Sequence, residues 1–137
     1  GVSARIILQE NIKPHFFNVR LVPFALRDHV AEELQHLVRA GILISVQSSE
    51  WAAPIVPVVK HDGRIRISGD YKATINSVIQ VHKCPIPRVE ELLVKLSGGI
   101  KFPKLDLKEA YQQIEFDSEP RKLATINMQE GHFRYTR

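Results

Sequence analysis

At 137 residues, 44% of them hydrophobic and 25% charged, the chain is long enough to bury one core and too apolar for a disordered segment. No apolar run nears the roughly 18 residues that a membrane-spanning helix needs, and the start, GVSARIILQENIKP, holds only a three-residue apolar patch, short for a secretory signal. The net charge of +4 is uneven: residues 1–50 carry five Lys/Arg and five Asp/Glu, residues 51–104 nine and four, residues 105–137 five and six.

The basic excess therefore falls in the middle third, where a polyanion would touch, although a solvated charged face gives the same count. The single cysteine, Cys84, permits no internal disulfide and no cysteine-based zinc cluster, as in a reducing compartment. The expectation is an intracellular protein without a membrane partner; cytoplasm and nucleus are not distinguishable from the sequence, nor is the oligomeric state.

Residues 1–23 contain NIKPHFFNVRLVP, extended and proline-bounded, and read as an arm rather than an element. From Ala25 the pattern changes. Leu26, Val30, Leu34, Leu37 and Val38 recur at helical spacing and Gly41 follows as a stop, which predicts one amphipathic helix over roughly 26–40. Next, IVPVVK and RIRIS are β-branched runs joined by a turn built on Asp62-Gly63, a β-hairpin. Pro54 and Pro57 cannot donate to a ladder, so the first of these strands is expected on an edge. In the second, Ile65 and Ile67 point one way and Arg64, Arg66 and Ser68 the other, giving the hairpin one basic face.

CPIPRVEELLVKLSGG predicts a second helix, with Pro87 in its first turn, a stripe of Val89, Leu92, Leu93 and Leu96, and Gly98-Gly99 as its end. IKFPKLDL predicts a strand with Leu105 and Leu107 on one face and Asp106 on the other. KLATIN and HFRYTR form a further strand pair across MQEG. The order indicates an α+β fold with a mainly antiparallel sheet.

Asp106 raises the functional question. A two-metal phosphoryl-transfer site needs carboxylates on a rigid strand, backbone N–H groups just after it for phosphate oxygens, and a bulky ring beside the sugar. Asp106, then Ala110 and Tyr111, supply that order; an aspartate on a strand's wet face followed by a core tyrosine supplies it equally. His61, His82 and His132 lack metal-ligand spacing and read as surface or turn residues.

Four strings, in one order, decide between these. VPFALRDHVAEELQHLVRAGIL, SSEWAAPIVPVVKHDGRIRISGDYKATIN, PIPRVEELLVKLSGGIKFPKLDLKEAYQQIEFD and LATINMQEGHFRYTR together resemble the reverse transcriptase of long-terminal-repeat retrotransposons of the gypsy/Ty3 group, in its fingers and the first part of its palm. The resemblance implies a truncated right-hand polymerase fold over residues 24–137: fingers hairpin and helices, then the first part of an antiparallel palm sheet. It implies that Asp106 is the first catalytic aspartate and binds Mg²⁺, with the Leu107 carbonyl as a further ligand. Glu109 and Ala110 would offer backbone N–H groups to the triphosphate of a dNTP, and Tyr111 would be the steric gate against a ribose 2′-hydroxyl. Lys60 and Arg66 resemble the cations that close over the nucleotide's phosphates. Arg64 and Lys72 would lie along the RNA or DNA template-primer; Gln112 and Gln113 either brace the fold or approach it. Trp51 reads as a fingers core residue, with stacking on template as its alternative.

Such enzymes continue past the position of Arg137 with an LPFG-type segment, a Tyr-X-Asp-Asp hairpin, a thumb and ribonuclease H. One carboxylate of three does not hold two octahedral Mg²⁺ ions, so weak or absent metal binding and no autonomous polymerase activity are expected of this chain. Pro103 and Cys84 also stand where the family tends to have a small hydroxyl residue and an aromatic one. Two functions remain. One is a piece of a Pol polyprotein whose RNA-directed DNA synthesis needs the full chain; the other is a host-retained, non-catalytic remnant serving as a basic nucleic-acid- or protein-binding module.

Overall fold

A computed structural model describes residues 2–81 and 85–137, so the readings of His82 and Cys84 lie outside the described residues. Its elements are β1 (Ser3–Ala4), α1 (Arg27–Arg39), β2 (Leu43–Val46), β3 (Ala53–Val59), β4 (Ile65–Gly69), α2 (Val89–Lys95), β5 (Glu115–Phe116), β6 (Thr125–Met128) and β7 (Gly131–Tyr135). Single 3-10 turns lie at Phe24–Leu26, Ala110–Gln113 and Pro120–Lys122. Helix and strand are mixed as the pattern predicts.

α1 forms because Val30, Leu34 and Leu37 share one face, and all three are buried against the sheet. It ends at Gly41, φ +69°, where the Ile42 N–H donates to the Leu37 carbonyl and the Gly41 N–H to that of Val38, both at 3.0 Å. That paired closure satisfies two end carbonyls and packs Ile42 beside Leu37 in the same cluster. Val38, assigned to the stripe from spacing, is instead exposed, one step round the helix from the buried face.

Five strands form one sheet in the order β2-β7-β6-β3-β4, antiparallel except where β3 meets β6 in parallel at Ala53 and Pro54. Ile126, fully buried on central β6, and Leu43, Ile55, Ile65, Ile67, Met128 and Phe133 supply the core under α1. The expected edge position of β3 holds for only part of its length. Ala53 and Pro54 pair with β6, Ile55 to Val59 pair with β4, and β4 is the outer strand. Pro57 is tolerated nonetheless. The Lys60 N–H donates to the Arg64 carbonyl at 2.8 Å, so by alternation Pro57 faces Ile67 in a pair that exchanges no hydrogen bonds.

The arm of residues 2–23 is extended, and it is also fastened. β1 pairs in parallel with β5, and bridges join Leu8 to Ile79 and Phe16 to Ala52. Ile6, Leu8 and Ile12 pack on a second buried cluster, Trp51, Ile75, Val78 and Leu123, and Trp51 stacks on His15 with 5.7 Å between ring centres.

Three expectations are corrected. Residues 101–107 form no strand: a strand exists through its ladder, and no described segment pairs with this one, so Leu105 and Leu107 stand exposed. α2 forms, but its stripe of Val89, Leu92, Leu93 and Leu96 is uncovered, and Pro87 precedes the N-cap Arg88 rather than entering the first turn. β2, which the element order omits, pairs along its length with β7.

Candidate functional site

The β3–β4 hairpin closes through a three-residue loop, His61 to Gly63. The Gly63 N–H donates to the Lys60 carbonyl at 3.0 Å, and Gly63 takes φ +80°, a conformation that glycine adopts without strain. The loop sets three cations near one tip. The Arg64 guanidinium folds back on Asp62, with Nη2 2.6 Å from Oδ2, and the Asp62 backbone-and-side-chain link is completed by the Arg64 N–H at 3.1 Å. The Arg64 hydrogen bonds hold the Asp62 carboxyl below its usual range, and Asp62 in turn pushes Arg64 up. Arg66 is exposed on the face opposite Ile65 and Ile67, and no ion pair engages it among the described residues.

Two largely buried tyrosines that pack against the core fix this hairpin to the sheet. The Tyr135 hydroxyl, from β7, donates to the Ile67 carbonyl at 3.0 Å, in the middle of the strand that carries Arg66. Burial pushes its pKa up to about 12, with the Glu33 carboxylate adding and Arg66 opposing. Tyr71 follows the second strand; its hydroxyl donates to the Ala124 carbonyl at 3.3 Å, and burial pushes it well above the usual phenol range. Lys72, next in sequence, is exposed, and Asp70 accepts from Arg20 at 3.1 Å.

The second half of the site is the segment 106–113. Asp106 and Leu107 are exposed on irregular backbone, not on the rigid strand that the sequence suggests. Glu109 adopts φ 48°, ψ 48°, a left-handed turn that starts the 3-10 helix Ala110–Gln113. The Gln112 N–H donates to the Glu109 carbonyl at 2.9 Å, and Gln113 Nε2 to the Lys108 carbonyl at 2.8 Å. Tyr111 is 91% exposed and Gln112 half-buried.

One contact joins the halves: Lys60 Nζ lies 3.5 Å from Glu109 Oε1. Among the described residues, no hydrogen bond or ion pair links Arg64, Arg66 or Lys72 to 106–112. The donor set for a metal is also incomplete. No group of three or more His, Cys, Asp or Glu residues that could hold an ion occurs among the described residues, and Asp106 alone offers too few anionic oxygens for octahedral Mg²⁺. Sequence reasoning missed an open cleft of about 700 Å³ lined by Ile6, Leu8, Glu50, Trp51, Lys122 and Arg134. Four separate segments build it, and no local pattern signals it.

No protein-family model matches the chain. The fold is shared with part of a protease-reverse transcriptase. The chain superposes on the prototype foamy virus protease-reverse transcriptase with a TM-score of 0.74 at 21% identity, over 96% of this chain and 18% of that one. On the foamy viral enzyme in complex with dsDNA the TM-score is 0.73 at 18% identity, over 95% and 26%. In sequence, the chain is 37% identical to an uncharacterized protein of Caenorhabditis elegans over 98% of its own length and 11% of the relative. It is 30% identical to the transposon Tf2-3 polyprotein of Schizosaccharomyces pombe, over 94% of its length and 10% of that polyprotein. It thus aligns with a short stretch of each of these relatives and spans only 10–11% of their length.

Proposed function

We propose that this chain is the fingers and the first part of the palm of a reverse transcriptase of the gypsy/Ty3 kind, acting in RNA-directed DNA synthesis together with the remainder of its polyprotein. The observation that carries the reading is the meeting of Lys60, at the tip of a basic hairpin, with the loop that follows Asp106. Residues 49 positions apart are brought together there, in a fold shared with a reverse transcriptase over nearly the whole chain.

In nucleotidyl transfer the primer's 3′-oxygen forms a bond to the α-phosphorus of the dNTP and the pyrophosphate oxygen leaves. Lys60 and Arg66 would neutralise the phosphate chain, since charge-assisted contacts to phosphate oxygens are the strong ones. The Glu109 and Ala110 N–H groups, on a tight turn, would receive phosphate oxygens. Tyr111 would stand beside the sugar, where a ring leaves no room for a 2′-hydroxyl. Arg64, Lys72 and Gln112 would lie along an RNA or DNA template-primer; the foamy viral structure with dsDNA supports a nucleic-acid partner of this kind. Mg²⁺ would supply charge neutralisation when bound, with Asp106 and the Leu107 carbonyl as two of its ligands and the others from outside the described residues.

Primer extension by the complete polymerase with deoxy- and ribonucleotides tests the reading. Tyr111→Val should keep measurable DNA synthesis and incorporate ribonucleotides where the parent does not. Equal rejection of ribonucleotides by both would remove Tyr111 from the sugar pocket.

A further inference from the structure

The Lys60–Glu109 pair is the sole salt bridge, among the described residues, between the β3–β4 hairpin and the 106–113 loop. Its side chains are 36% and 48% exposed, so water screens them only in part. Glu109 reaches the lysine from a left-handed backbone, and Asn11 is the only other described non-glycine residue with positive φ. An L residue adopts that conformation at a cost, which contacts of this kind offset. Glu109 also adds, well after Asp62, to the upward push on Arg64.

We propose that the Glu109 carboxylate is a latch: it holds the hairpin tip against the loop by occupying Lys60, and a polyphosphate anion opens it by taking Lys60 in its place. The identity of that anion as a nucleotide's phosphate chain rests on the function proposed above; the contact does not. A carboxylate brings one negative charge and two acceptor oxygens. A triphosphate chain brings several of each, so it displaces the carboxylate where a monophosphate competes poorly. Once displaced, Glu109 repels a second anion. Lys60 would therefore respond to the charge of the ligand as well as to its presence.

The test uses this chain with Cys84→Ser and nitroxide labels on His61→Cys and Lys108→Cys. Distances are read by electron spin resonance, and binding of tripolyphosphate and of orthophosphate by calorimetry. A narrow, short distribution is expected in the parent, broadened by Glu109→Gln, by Lys60→Met and by tripolyphosphate, but little by orthophosphate. Glu109→Gln should bind tripolyphosphate about two- to fivefold more tightly, the scale of a partly exposed ion pair, and the gain should vanish in a Lys60→Met background. Identical distributions in all three chains would overturn the latch, as would a gain that survives Lys60→Met or an absence of tripolyphosphate binding. If those failures occur while the complete protein still extends primers through Asp106, only the latch falls. If the latch opens as described while Asp106→Asn extends primers normally, the proposed function falls and the latch remains.

Discussion

Raising the pH should destabilise this protein through Tyr135, and removing one hydroxyl should reverse the order of stability of two chains. Burial, with the Glu33 carboxylate, disfavours the Tyr135 phenolate and pushes its pKa up to about 12 in the folded chain, against about 10 for a free phenol. A folded pKa above the unfolded one gives stability that is fully present below pH 10 and is lost as pH rises through 12. Two units correspond to roughly 3 kcal/mol at about 1.4 kcal/mol each, a large share of a small domain's total. Tyr135→Phe loses the hydrogen bond to the Ile67 carbonyl and should cost about 1 kcal/mol at pH 8. It also escapes the alkaline penalty. The two chains should therefore cross near pH 11, with the variant ahead by about 1 kcal/mol at pH 11.5. Urea unfolding at pH 8, 10 and 11.5, followed through the fluorescence of buried Trp51, reads both. Tyr71, also raised by burial, stays in both chains and leaves a residual slope in each. Parallel loss of stability in parent and variant across the range would refute the argument, and with it the role of the Tyr135 hydroxyl in holding the strand of Arg66.

Gly69 lies where a Cβ would come 2.7 Å from Tyr71 Cζ and 3.0 Å from Ile126 Cγ2, so Gly69→Ala should cost about 1–3 kcal/mol by overpacking and lower the urea midpoint. An unchanged midpoint would mean that the Tyr71 ring yields freely. Replacing Lys60, Arg64 and Arg66 together by alanine should reduce the slope of log affinity against log salt for single-stranded nucleic acid by about 2, at roughly 0.7 per phosphate contact. An unchanged slope in a filter-binding titration would take the hairpin off the binding surface.

Features written in local spacing were legible in the sequence. Val30, Leu34 and Leu37 announce α1, Gly41 its end, and Asp62-Gly63 the hairpin with its basic face. Features that depend on a distant partner were not. β2, with Ile44 and Val46 among its four residues, carries a weak local strand signal, and its reason to form is β7, far along the chain. Residues 101–107 show the converse: alternation suits a strand, and without a ladder the backbone stays irregular. The α2 stripe was correct as helical spacing and gave no information on what covers it. At the candidate site, period-two spacing placed Arg64 and Arg66 on one face, whereas the approach of Lys60 to Glu109 and the anchoring of Ile67 by Tyr135 follow from tertiary packing.

The central claim concerns Asp106. In the complete polymerase, Asp106→Asn preserves shape and removes the charge, so primer extension with deoxynucleotides should fall by several orders of magnitude while template-primer binding stays near the parent's. Near-normal extension by the Asp106→Asn protein would contradict the account and leave Asp106 an ordinary exposed residue of an irregular loop.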